Sequence, residues 1–228
     1  MLYVASRIPV QNTKLGLPIY IERTFTEVFD EKKPMYSPVP RPWWDYNVYR
    51  DGVPVPAHLR LPPKLLMVVK TLRRFNPDFF SDRPREWTVS ERFRAFLHKR
   101  GLLEGYYEES ALTVISTSQK ELTTQPYYLL RLFRFDNDLV DFEKTPKVVS
   151  PIQKTPLTPP NVYYPELVFQ QGAKVPPLFF LNDRSYFYSF FCDEETKRAM
   201  EQEQFLGFVF YTLEEYIQMK IDLEKQFS

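Results

Sequence analysis

Twenty-one prolines against six glycines constrain this chain more than anything else in it. Proline fixes φ at about −65° and carries no amide hydrogen, so it is kept out of helix interiors and central strands. Residues 34–63 hold eight prolines, and no regular element there can be long. Loops built this way lose less conformational entropy on folding than glycine-rich ones. They suit a stiff, preorganised face, and they suit plain stability equally. Inside this stretch lies RPWWDYNVYRDGVPVP, residues 41–56, with two tryptophans and two tyrosines fenced by Pro42, Pro54 and Pro56.

A chain of 228 residues is long enough to bury a proper core as one large domain or two small ones. Aromatics reach 17%, which argues against disorder. Thirty basic residues balance twenty-nine acidic ones, so a general nucleic-acid binder, which needs a basic surplus for phosphate, is not expected. Cys192 is the single cysteine, which rules out an intrachain disulfide and fits a reducing compartment. MLYVASRIPV lacks the basic and apolar regions of a secretory signal, and the apolar runs are too short for a bilayer. The expectation is a soluble cytoplasmic protein with no membrane partner.

Pattern places the elements. LYVA (2–5) and LPIYIERTF (17–25) read as strands. KLLMVVKTLRRF (64–75) reads as helix-competent, with apolar Leu65, Leu66, Val68, Val69 and Leu72, and residues 76–86 read as a loop. TVSERFRAFLHKRG is the clearest helix. Thr88 and Ser90 are rival N-caps, Thr88 and Glu91 have capping-box spacing, and Gly101 can take the closing left-handed conformation. Strands follow at 111–117 and 126–135, with DLVDFE (138–143), 161–170 and 177–191 as further candidates. DEETKRAMEQEQF (193–205) reads as a helix that Gly207 would end. GFVFY (207–211) reads as a brief strand, and TLEEYIQMKIDLEKQ as a helix opened by a Thr212–Glu215 capping box. The sum is an α+β fold, a mixed or antiparallel sheet with flanking helices. The proline stretch at 34–63 is its likeliest internal boundary, and the chain divides into a proline- and aromatic-rich part, 1–85, and an α+β part, 86–228, unless the two form one continuous domain.

Catalytic signatures are missing. His58 and His98 lie forty residues apart, and no HxH, HxxxH or CxxC pair occurs, so no metal or other cofactor is expected. No glycine-rich phosphate loop and no GxSxG elbow is present. Cys192 sits among Phe190, Phe191 and Asp193, neighbours that raise a thiol's pKa rather than activate it. Asp136, Asp138, Asp141 and Glu143 form the one acidic cluster that could serve a divalent-cation hydrolase, though without calcium-loop spacing they read first as solvated turn residues. A structural or scaffold role is a further alternative. The aromatic clusters remain, and most of them must be core. Adjacent Trp43 and Trp44 would point opposite ways in an extended segment, one ring inward and one outward. Arg41, Trp43, Trp44, Tyr46 and Tyr49 are therefore the candidate partner-binding residues.

The second half carries a recognisable order: Val89, Ser90 and Phe93 at a helix start; Tyr127, Tyr128, Leu130, Asp138 and Asp141 in PYYLLRLFRFDNDLVDFE; Leu178 to Leu181 as LFFL; Gly207 with Phe210 at the closing strand. Over residues 86–216 the chain resembles the immunity proteins of bacterial polymorphic toxin systems. The likeness is to the kinds numbered eleven and forty-three, including the domain-of-unknown-function-1629 group. That resemblance implies an α+β protein without catalysis of its own, which binds and neutralises a cognate protein toxin. It supplies no active-site residues.

Overall fold

The structure is a computed structural model describing residues 1–7, 21–47, 51–83, 85–103, 107–152 and 159–226. The chain divides into two compact units. The larger comprises Arg7–Phe133 with Phe205–Phe208, and the smaller Met1–Ser6, Arg134–Gln204 and Val209–Ser228. The expected α+β class is what the elements show. Strand β1, Leu2–Arg7, opens the chain and is taken up with the smaller unit.

The larger unit is built on β2 (Arg23–Thr26), β3 (Lys64–Val69), β4 (Phe79–Arg83), β5 (Glu86–Ser90), β6 (Tyr107–Ser116) and β7 (Tyr127–Leu132). They form one sheet in the order β2-β3-β6-β7-β5-β4. β3 runs parallel to β6 and the other pairings are antiparallel, so the sheet is mixed. KLLMVV is thus a strand and not a helix. Leu65 and Met67 lie on one face, Val68 packs on the other, and all three are buried. A strand buried on both faces reads as a continuous apolar run, which helical spacing also satisfies. The expected loop at 76–86 is instead the β4–β5 hairpin, turned at Arg85 with φ 62°.

Helix α1 spans Glu91–Lys99. Ser90 is its cap, its Oγ accepting from the Phe93 amide at 3.3 Å, while Thr88 belongs to β5. Gly101 closes the region at φ 61°. Phe93, Phe96 and Leu97 are buried, and Phe93 meets Phe79, which in turn meets Trp87, in edge-to-face contacts at 6.0 and 5.1 Å. Each such side chain contributes about 1.5–3 kcal/mol by leaving water. The Phe205–Phe208 segment joins this cluster: Phe205 stacks edgewise on Phe93 and Phe96, and Phe208 on Phe79. Asp78 ties it down, accepting from the Leu206 amide (2.8 Å), the Ser90 hydroxyl (2.6 Å) and both arms of Arg92 (2.8 Å). Gly207 stands at φ 125° against the Phe79 backbone, where a Cβ would come 2.9 Å from the carbonyl carbon. It is a close-approach glycine, not the stop of the preceding helix. That stop is Gln204, at φ 54°.

The smaller unit holds a four-stranded sheet, β10-β11-β1-β12, from β10 (Leu178–Phe179), β11 (Ser189–Asp193), β1 and β12 (Phe208–Tyr211), and a hairpin of β8 (Val148–Val149) with β9 (Val162–Tyr163). The expected strand at 138–143 is a short 3-10 turn, Asn137–Leu139, with a single bridge at Val140. Helix α2 is Glu194–Gln202, capped by Asp193. Helix α3 is Leu213–Gln226, and Thr212 and Glu215 exchange both bonds of the expected capping box. Tyr216 and Ile217 of α3 pack with Val4, Phe179, Tyr186 and Phe191 in the core. Glu224 on its last turn accepts from Ser150, Asn161 and Tyr163, fastening the hairpin to the helix. No helix among the described residues is long and apolar enough to cross a membrane.

Candidate functional site

Trp43 and Trp44 of the proline-fenced segment pack against the face of the larger sheet that carries Phe25, Leu65, Met67, Phe80, Leu112 and Leu129. Pro42 begins a 3-10 turn, Pro42–Asp45, at a position where its missing amide hydrogen costs nothing. The turn, not an extended strand, separates the two indoles. Trp43 points into the core and is 3% exposed, and Trp44 is half-buried above it. The rings meet edge-to-face at 5.7 Å, and Trp44 leans on Phe25 at 5.9 Å. The Trp43 indole N–H is buried with no hydrogen-bond partner among the described residues, and its ring is held by packing.

Three arginines organise the segment, and a fourth, Arg23, lies on strand β2. Arg41 donates through Nη1 to the Phe25 carbonyl (2.7 Å) and the Thr24 hydroxyl (3.0 Å) on edge strand β2. Its guanidinium lies 5.0 Å from the Trp44 ring centre. Burial lowers the Arg41 pKa, the Asp45 charge raises it, and the neighbouring Arg83 charge lowers it. Arg83, from β4, lies 3.8 Å from the same ring and pairs with Glu86 at 3.2 Å. Arg23 sits 5.1 Å from the Phe25 ring. Arg131, from β7, is 3% exposed and clamps the segment from beneath. It donates to the carbonyls of Trp43 and Leu59 at 2.6 Å each and to the Glu108 carboxylate, and it lies 4.4 Å from the Tyr46 ring. Glu108 also accepts from the Leu61 amide at 3.2 Å.

Tyr46 is half-buried, edge-on to Phe133 at 6.1 Å, and donates to the Gly52 carbonyl at 3.0 Å. Burial raises its pKa first, Arg131 lowers it, and Glu108 and Asp51 raise it. Arg41, Trp43, Trp44 and Tyr46 are thus brought together, with Trp43 turned away from the surface. Tyr49 lies outside the described residues. Arg83, Arg131 and Glu108 were not anticipated as part of the site. The signal for Arg131 was its place on the Leu129–Phe133 face of β7, an inward face where a charge demands partners.

The other candidates are dispersed. Asp136 accepts from Arg134 (2.9 Å) and the Phe180 amide (2.8 Å), Asp141 pairs with Lys144 (2.7 Å), and Asp138 and Glu143 are exposed. Among the described residues no three His, Cys, Asp or Glu side chains gather to hold an ion. His58 and His98 are both exposed, the latter 2.8 Å from the Tyr107 hydroxyl. Cys192 is fully buried and its thiol is pushed up to about 12, by burial first and then by Asp193.

No curated protein matches the chain. The sequence profile of the family described as Immunity protein 43 matches residues 10–220, so the likeness reaches back through the proline-fenced segment as well as the second half. With nearly its whole length matched, the chain belongs to the Immunity protein 43 family.

Proposed function

We propose that this chain is a non-catalytic cytoplasmic inhibitor that binds and neutralises the protein toxin of its own polymorphic toxin system, and that the Trp44 side of the larger unit is the surface the toxin meets. Family membership over residues 10–220 carries the first part. The second rests on Trp44, a half-buried indole fixed on a buried one. Interface anchors of this kind bind tightly because their rotamers are already chosen. Trp43 serves the complex indirectly, as the floor beneath Trp44. The toxin domain encoded by the neighbouring gene is the test partner. Wild-type protein should protect cells that produce it. Trp44→Ala should weaken binding with little change in melting temperature, whereas Trp43→Ala should lower melting temperature first. Unprotected cells would reject the toxin-neutralising role. Full affinity in both variants would reject this surface.

A further inference from the structure

We infer, resting on that reading, that the Trp44 surface recognises a carboxylate: an aspartate or glutamate on a toxin loop, held between the guanidinia of Arg41 and Arg83. Both approach one ring, at 5.0 and 3.8 Å from its centre. A guanidinium offers its donors along its edges, where a planar carboxylate can accept two at once; on Arg83 the Nη1 donor is buried, which leaves Nε and Nη2. Among the described residues Arg41 donates through Nη1 alone, to Phe25 and Thr24, and no carboxylate lies within ion-pair distance of it. Arg83 reaches Glu86 through Nη1 and the Trp44 carbonyl only at 3.5 Å through Nη2. Two cations therefore share a small surface. Arg83 opposes the charge of Arg41, and Asp45 and Glu86 stand beside the pair.

Three features set the chemistry of the occupant. A carboxylate can accept from two guanidinia whose carbons lie about 8 Å apart or closer, and both carbons here lie within 5.0 Å of one ring centre. Asp45 and Glu86 flank the site, which disfavours a dianionic phosphate relative to a single negative charge. Trp44 adds an apolar floor that phosphate does not use and the methylenes of a glutamate or aspartate do.

The test uses the full chain and a catalytically silent variant of the toxin domain encoded beside it. Arg41→Gln and Arg83→Gln should each weaken binding about tenfold or more, and together less than the product of the two, because they share one ligand group. Arg83→Lys keeps the charge for Glu86 and loses the fork, so it should fold normally and still bind about tenfold more weakly. Arg41→Glu with Arg83→Glu should be rescued by one Asp→Arg or Glu→Arg change on the toxin. Wild-type affinity in Arg41→Gln and Arg83→Lys would overturn this inference and leave the inhibitor reading standing. Absence of any wild-type complex would overturn both. A short RNA or DNA duplex that binds with the same Arg41 and Arg83 dependence would overturn it in favour of phosphate.

Discussion

Arg131→Met tests whether one buried charge holds the functional segment in place. The guanidinium is 3% exposed as a residue, bonded to the carbonyls of Trp43 and Leu59 and to Glu108, and stacked near Tyr46. Methionine fills the space and supplies no donor. Two carbonyls then lose their partner, at about 1–3 kcal/mol each where water cannot replace it. Glu108, whose side chain is 18% exposed, is left as a poorly hydrated carboxylate. Breaking a buried pair from one side costs about 3–5 kcal/mol, and partial water access keeps the total within that range. All three tryptophans, Trp43, Trp44 and Trp87, lie in the larger unit, so indole fluorescence follows that unit alone. At a urea slope of about 2 kcal/mol per molar, the midpoint should fall by about 1.5–2.5 M. Glu108→Gln in the same background should recover about 1 kcal/mol, because the amide oxygen can still accept from Leu61 without an unpaired charge. A midpoint shift under about 0.3 M for Arg131→Met would refute the clamp.

Gly207→Ala should cost about 4 kcal/mol or more, since φ 125° excludes a side chain and the new methyl would press into the Phe79 backbone; an unchanged fluorescence melting curve would show that the Phe205–Phe208 segment can yield. Cys192, held up to about 12, supplies a pH dependence in the smaller unit. From about pH 9, the ordinary thiol value, up to 12, the unfolded chain has shed a proton that the folded one keeps, so stability falls as pH rises, by at most about 1.4 kcal/mol per pH unit from this thiol. The buried hydroxyls of Tyr163, Tyr164, Tyr186 and Tyr216 shift in the same direction. A urea midpoint by circular dichroism that is level or rising over that window would contradict it.

Local chemistry was legible where it acts over a few residues. The Thr212–Glu215 box, the turn at Gly101 and the buried, inert Cys192 all follow from neighbours in sequence. What failed depended on distant partners. KLLMVV has no local feature that distinguishes a two-sided strand from a helix; its parallel neighbour β6 decides, more than forty residues on. FFSDR reads as polar loop until β5 folds back on it. At the site, one indole inward and one outward could be foreseen from adjacency alone, although a 3-10 turn produces it. The arginines could not be assigned in the same way. Arg131 meets acceptors 88 and 72 residues away, and Arg83 meets a tryptophan 39 residues earlier. Only the packed sheet brings them within reach.

The four residues Phe205–Phe208 finish a unit whose other members end at Phe133. During synthesis that unit waits, with the Phe79–Phe93–Phe96 rings uncapped and Asp78 lacking its Leu206 amide, until a further seventy or so residues have left the ribosome. A fragment cut after Phe133 would carry the same gap permanently. Cloning the Trp44 surface as a minimal binder therefore calls for a short loop that splices the 205–208 strip back in.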